Sequence, residues 1–210
     1  MKRILSIVAG LAFIVLIGGT GTTHAATEKA IVAGGCFWCV ESDFEKVRGV
    51  RSVVSGYTGG SKQNPTYQDH DGHYEAVEIT FDNSQISYAQ VISMFLRSVD
   101  VTDAGGQFCD RGPAYRTAIF ASNNAQKAAA EAAVVEAEQA LGQNVVTPVL
   151  AASTFWQAEA YHQDYYKSSE IILTRAGPKQ KKNAYTFYRQ SCGRDARVKQ
   201  LWGDQAVFAK

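Results

Sequence analysis

Short apolar runs alternate along this chain with segments whose apolar residues return at helical spacing. Residues 30–33 form a compact apolar run closed by Gly34 and Gly35. Phe37, Val40, Phe44 and Val47 then share one helical face, which predicts strand, tight turn and helix. Residues 50–55 predict a second strand, which ends at Gly56-Tyr-Thr-Gly-Gly60. A polar loop opens there and runs through Asn64-Pro-Thr-Tyr67 to Gly72, and a connection of that length points to function. Residues 74–81 alternate as a third strand, with Ala76, Glu78 and Thr80 on one face, Val77, Ile79 and Phe81 on the other, and Glu75 at its beginning.

Further on, Ser87 can cap a helix over residues 88–99 whose stripe is Val91, Ile92, Phe95 and Leu96. A glycine-containing loop covers 103–113, a strand 115–121, and an alanine-rich helix 123–141 that stops at Gly142. Residues 145–151 predict a last strand and 158–167 a short helix. From 170 to 210 the chain reads as a largely irregular tail carrying Cys192. No parallel pattern dominates, and the strands near Val50 and Tyr74 have no helix between them. The expected fold is α+β: a single two-layer domain, its mixed β-sheet covered by helices, with a long irregular C-terminal tail.

The N-terminus stands apart from this pattern. Lys2 and Arg3 precede an apolar run over residues 4–17, followed by small and polar residues up to Ala25-Ala26, the order of a secretory signal peptide. The run is shorter than the roughly 20 apolar residues of a spanning helix, which favours cleavage over anchoring. We expect a signal over 1–25, cut after Ala25, and a catalytic domain over 26–210. The protein is then exported, periplasmic or extracytoplasmic, and membrane-anchored only if the signal stays uncleaved.

Charge names no partner. Lysine and arginine number 21 against 20 aspartate and glutamate, so no global field draws the chain to nucleic acid or an anionic membrane. The basic stretch from Arg175 to Lys182 fits a solvated turn.

Four cysteines follow the signal: Cys36, Cys39, Cys109 and Cys192. In an exported chain an even count suggests two structural disulfides, although a domain of this length does not need such staples. Cys36 sits where a helix begins after a Gly-Gly turn, so free backbone N–H groups and the helix dipole would stabilise a thiolate there. Cys36-Phe-Trp-Cys39 is also a C-x-x-C, as in thiol–disulfide exchange proteins. Zinc would want a second such pair or a close histidine pair, which the sequence lacks, so no metal is expected. For His70 and His73 solvated or structural roles suffice.

Gly34-Gly-Cys-Phe-Trp38 resembles the signature of the A-type methionine sulfoxide reductases. The likeness continues through Gly56-Tyr-Thr-Gly-Gly60, Asn64-Pro-Thr-Tyr67, Gly72-His-Tyr-Glu75, Asp110-Arg-Gly112 with Tyr115-Arg116, and Ala158-Glu-Ala-Tyr-His-Gln163. The resemblance implies Cys36 as nucleophile, with Phe37 and Trp38 as the cage around the substrate methyl group. It implies Glu75, Tyr67 and Tyr115 as hydrogen-bond donors to the sulfoxide oxygen, and Asp110 as organiser of that site. Chemistry makes sense of these types, because oxygen leaves sulfur readily only when protonated. Glu75 can supply that proton near neutral pH if burial raises its pKa.

The sulfenic acid left on Cys36 needs a resolving thiol. In the family this commonly comes from the C-terminal tail, which points to Cys192. This chain departs from many relatives in having Cys39 where they have glycine, and Cys39 is therefore a rival, or the first member of a relay. Cys109 is a bystander or a further relay thiol. The resemblance further implies methionine S-sulfoxide as substrate, a thioredoxin-like dithiol as reductant, no metal or organic cofactor, and a monomer. Two other readings stay open: a thiol–disulfide oxidoreductase using Cys36 and Cys39, and an exported binding or structural domain stapled by Cys36–Cys39 and Cys109–Cys192.

Overall fold

A computed structural model describes residues 26–209. The signal segment and its cut after Ala25 lie outside the described residues. Strand β1 (Thr27–Gly34) leads into helix α1 (Phe37–Phe44), followed by β2 (Val50–Thr58), β3 (Tyr74–Asp82), α2 (Tyr88–Leu96) and the two-residue strands β4 (Gly106–Gln107) and β5 (Asp110–Arg111). Next come β6 (Thr117–Ala121), α3 (Asn124–Leu141), β7 (Val149–Ala151), β8 (Trp156–Gln157), β9 (Ile171–Thr174), β10 (Gly177–Gln180), α4 (Lys181–Ser191) and α5 (Arg194–Trp202).

The main sheet has six strands in the order β7-β6-β1-β3-β2-β8. Its neighbours are antiparallel except β6 and β7, which run parallel, so the sheet is mixed as expected. Alternation fixes its two faces. Ala30, Val32, Val77, Ile79, Phe81 and Ile119 point into a core closed by Phe37, Val40 and Phe44 of α1, Val91, Ile92, Phe95 and Leu96 of α2, and Ala130, Ala133 and Ala137 of α3. The opposite face buries only Ile31, Ala33, Ala76, Ala118 and Phe120, under Leu150, Ala152 and Phe155. No helix among the described residues is long and apolar enough to cross a membrane.

Local signals explain the helix ends. The Ser87 hydroxyl accepts from Gln90 N–H at 3.2 Å while Gln90 Oε1 accepts from Ser87 N–H at 2.9 Å, a reciprocal cap. Asn123 caps α3, and Gly142 ends it in the left-handed conformation at φ 61°.

The segment after residue 170 is not the irregular tail expected from its composition. It forms the β9–β10 hairpin and then α4 and α5, and Val198 and Trp202 of α5 reach the main core. Both apolar contact and charge dock α4: Tyr185 and Tyr188 pack against Cys36, Cys39 and Tyr165, and ion pairs flank them. Buried Lys181 bonds Glu170 at 2.5 Å and the Tyr161 carbonyl at 3.1 Å, and Arg189 bonds Asp43 at 2.8 Å and Asp195 at 2.7 Å. The predicted helix over 158–167 is two single turns, Ala160–His162 and Tyr165–Lys167, separated by Asp164 at φ 56°.

Candidate active site

Three strand ends converge. β1 pairs with β3 so that Val32 faces Val77, and with β6 so that Gly34 faces Thr117. Cys36, leaving the end of β1, therefore meets Glu75 at the start of β3 and Tyr115 just ahead of β6. Gly35 turns the chain between β1 and α1 at φ 77°, and a Cβ there would lie 2.5 Å from Gln107 Cβ. Only glycine fits this turn. The polar loop after β2 delivers Tyr67, and β5 delivers Asp110.

The result is a small cavity of about 130 Å³ walled by Cys36, Phe37, Trp38 and Tyr67 together with Glu75, Asp110 and Tyr115. These are the residues that the sequence nominated for the substrate site. An eighth wall residue, Tyr188, comes from α4 and had no sequence signal, because α4 itself was unexpected. Its hydroxyl donates to Asp110 Oδ2.

Glu75 is only 2% exposed. Burial pushes its carboxyl up to about 8, reinforced by the negative charge of Asp110 and opposed by the Phe37 N–H and Tyr115. Burial likewise pushes the Tyr67 hydroxyl up to about 12 and raises that of Tyr115. Both phenols thus stay protonated donors.

The helix N-terminus does not stabilise a Cys36 thiolate as anticipated. The first free N–H, that of Phe37, donates to Glu75 Oε2 at 3.1 Å. Burial raises Cys36 well above an ordinary thiol, and its hydrogen bond with Cys39 and the nearby Glu75 and Asp110 push the same way. Cys39 is lowered by that same hydrogen bond, against burial and with help from Arg194 and Arg189.

Aromatic rings back Phe37 and Trp38. Trp38 stacks on Tyr165 at 3.8 Å with planes 7° apart, and His162 packs 5.0 Å from Phe37 and 4.5 Å from Tyr67. Desolvation lowers His162 to about 4, so it is a neutral ring in the packing. Glu159 fixes the loop, accepting from Tyr67 N–H at 2.9 Å and from the Tyr57 hydroxyl at 3.1 Å. The motif over 158–163 carries no sequence signal for these places of Glu159 and His162. His73 is buried between Gly60 N–H and the Lys62 carbonyl, a structural place.

The sulfur pairing differs from the expectation that Cys192 meets Cys36 first. Cys192 is bonded to Cys109, with Cα atoms 5.1 Å apart, while Cys36 and Cys39 are free thiols. The reason is the folded tail: α4 ends beside the 103–113 loop, which brings Cys192 to Cys109. Among the described residues the acidic group able to gather round a cation is Glu41, Glu45 and Asp164. Glu41 is already engaged by Ser55 and Asp164 N–H, and Glu45 by Tyr166 and Lys167.

Known proteins carry the same frame. Residues 28–205 match the family model described as peptide methionine sulfoxide reductase. Peptide methionine sulfoxide reductase MsrA 2 of Rhizobium meliloti is 48% identical over 184 residues, 87% of either chain. MsrA 2 of Caulobacter vibrioides is 45% identical over 97% of this chain and 100% of its own. Among solved structures, methionine sulfoxide reductase A of Corynebacterium diphtheriae superposes with a TM-score of 0.63 at 27% identity, covering 68% of this chain and 75% of that one. With the nominated residues gathered in one cavity and the match running through nearly all of the described fold, this chain belongs to the peptide methionine sulfoxide reductase family, A type.

Proposed function

We propose that this chain is an exported enzyme that reduces methionine S-sulfoxide, free or in proteins, to methionine. Cys36 is the nucleophile, Glu75 the acid, and a thioredoxin-like dithiol the final reductant. The observation that carries the reading is a carboxyl with its pKa pushed up to about 8 in the same cavity as a buried thiol. At neutral pH that carboxyl holds a proton for the sulfoxide oxygen.

Cys36 sulfur attacks the substrate sulfur as Glu75, Tyr67 and Tyr115 bind the oxygen. The sulfur–oxygen bond of the substrate breaks and one forms on Cys36, so methionine leaves and Cys36 becomes a sulfenic acid. The proton lost by the thiol equals the proton gained by oxygen, and Glu75 carries it between them. Phe37 and Trp38 hold the methyl group, and Asp110 keeps the polar side of the cavity in order. Two sulfur centres exchange one oxygen, a reaction that calls for no metal or organic cofactor.

Cys39 then attacks the sulfenic sulfur and water leaves, forming a Cys36–Cys39 disulfide. Its support is its place one turn on in the same buried cluster, where the Cys39 N–H donates to the Cys36 carbonyl at 3.1 Å. Cys39 is 1% exposed, out of reach of a protein reductant, whereas Cys109 is exposed. Reduced Cys109 and Cys192 take up the disulfide by exchange, and the thioredoxin-like dithiol reduces it at the surface.

Turnover of a methionine S-sulfoxide peptide with dithiothreitol, by the chain from Ala26 onward and by Cys36→Ser, tests the reaction. Activity that vanishes in the variant supports the reading. Disulfide exchange that proceeds without a sulfoxide and without Glu75 supports the oxidoreductase alternative instead. Export is tested by cell fractionation and the mass of the mature N-terminus, expected at Ala26.

A further inference from the structure

The Cys109–Cys192 bridge and one wall of the cavity belong to a single closed ring of bonds. The Tyr188 hydroxyl donates to Asp110, Asp110 follows Cys109 in the chain, and Cys109 is bonded to Cys192. Cys192 N–H returns to the Tyr188 carbonyl at 3.0 Å, one helical turn back. Two of the ring's members, Asp110 and Tyr188, face Cys36 and Glu75 across the cavity. The bridge joins positions 83 residues apart, so without it these two wall residues are held together by noncovalent contacts alone.

We propose that Tyr188 is a further substrate-positioning residue, clamped in place by the Cys109–Cys192 bridge, so that the cavity binds sulfoxide more tightly with the bridge oxidised than reduced. This rests on the cavity being the methionine sulfoxide site. Reduction of the bridge takes two electrons and two protons from an external dithiol, which leaves as a disulfide, and yields the thiols of Cys109 and Cys192. Cys109 is exposed, so the bridge can be reduced while the fold stands. The end of α4 then keeps its contacts through Arg189 and through Arg194, whose Nη1 donates to the Gly34 carbonyl at 3.3 Å. Tyr188 loses its covalent tie to the Asp110 loop, and the cavity loses a fixed wall. A relaxed wall weakens binding without abolishing it, because ordering Tyr188 must then be done by the ligand itself.

Cys36→Ser protein, which cannot turn over, is titrated with a methionine S-sulfoxide peptide and read by tryptophan fluorescence, first with the bridge intact and then with dithiothreitol present. Thiol titration reports the state of the bridge. The expected result is an affinity on the order of tenfold weaker after reduction. The same protein carrying Cys109→Ser and Cys192→Ser should bind weakly and show no response to reductant. Cys36→Ser with Tyr188→Phe should bind weakly in the bridged state and lose most of its response. Equal affinity in the two states of the parent overturns the clamp and leaves the cavity's assignment intact. No saturable binding in either state overturns the assignment and the clamp with it.

Discussion

The backbone N–H of Phe37 donates to Oε2 of Glu75 at 3.1 Å, so the residue after Cys36 orients the Glu75 carboxyl. One carboxyl oxygen is committed as an acceptor, which leaves the other to carry the proton. Cys36 and Glu75 are thus set in register by one peptide group at the start of α1. The Gly35 turn aims that group, which gives the Gly-Gly pair a mechanical purpose.

In the proposed acid role, the raised pKa of Glu75 predicts a pH limit on the reaction. Its folded pKa lies above the ordinary carboxyl value, so the proton is present below pH 8 and is lost as pH rises through about 8. The rate should fall on that alkaline side. Glu75→Gln should lower kcat/KM by on the order of 10²–10⁴ and erase this limb. Between the ordinary carboxyl range and about 8 the fold holds a proton that the unfolded chain releases, so stability falls as pH rises through that window. Thermal melts of Glu75→Gln should lack that part of the slope. A variant with wild-type turnover and an unchanged profile would remove Glu75 from the acid role.

The two cysteine candidates should fail at different steps. Cys39→Ser should release one methionine per chain and then accumulate a Cys36 sulfenic acid that dimedone traps. Cys192→Ser should still form the Cys36–Cys39 disulfide, found by peptide mapping, but slow recycling by a thioredoxin-like donor while small dithiols still work. If Cys39→Ser resolves at the wild-type rate and Cys192→Ser accumulates sulfenic acid, Cys192 is the first partner.

The sequence carried the site further than it carried the fold's closing segment. The sheet was legible because β1 to β3 alternate or run apolar, and α2 and α3 announce themselves by Ser87, Asn123 and Gly142. The cavity was legible through the motif resemblance, and the strand ends explain why such separated motifs meet. The last forty residues were opaque. α4 is polar along most of its length, and it docks through Tyr185 packed on Cys36, Cys39 and Tyr165 and through Lys181 and half-buried Arg189 paired with carboxylates from elsewhere in the chain. Such pairs have no periodicity to detect. The Cys109–Cys192 bridge depends on that docking, so it too stayed one alternative among several.

Phe37 and Trp38 are adjacent but should separate in experiment. Phe37 is 1% exposed and part of the main core, so Phe37→Ala should cost about 3–5 kcal/mol of stability. Trp38 is half-buried in the cavity wall and stacked on Tyr165. Trp38→Leu should raise KM roughly tenfold, the equivalent of about 1.5 kcal/mol of apolar contact, with a smaller change in melting temperature. Equal destabilisation by both substitutions, with KM unchanged in Trp38→Leu, would make Trp38 a core residue only.

Arg189 gives the sharpest test of how the C-terminal segment is held. Its guanidinium lies between Asp43 of α1 and Asp195 of α5, and the Asp43 side chain is only 3% exposed. Burial raises the Asp43 carboxyl even with Arg189 beside it, so the pair is held under a desolvation penalty that the arginine offsets. Arg189→Met removes the cation and leaves Asp43 buried alone, with an expected loss of about 3–5 kcal/mol. Arg189→Met with Asp43→Leu should recover much of it, since the uncompensated charge is gone. In a double-mutant cycle by urea unfolding, a coupling near zero would mean that the Arg189–Asp43 pair does not hold the segment. A large coupling would mean that the wall bearing Tyr188 reaches the active site on an ion pair.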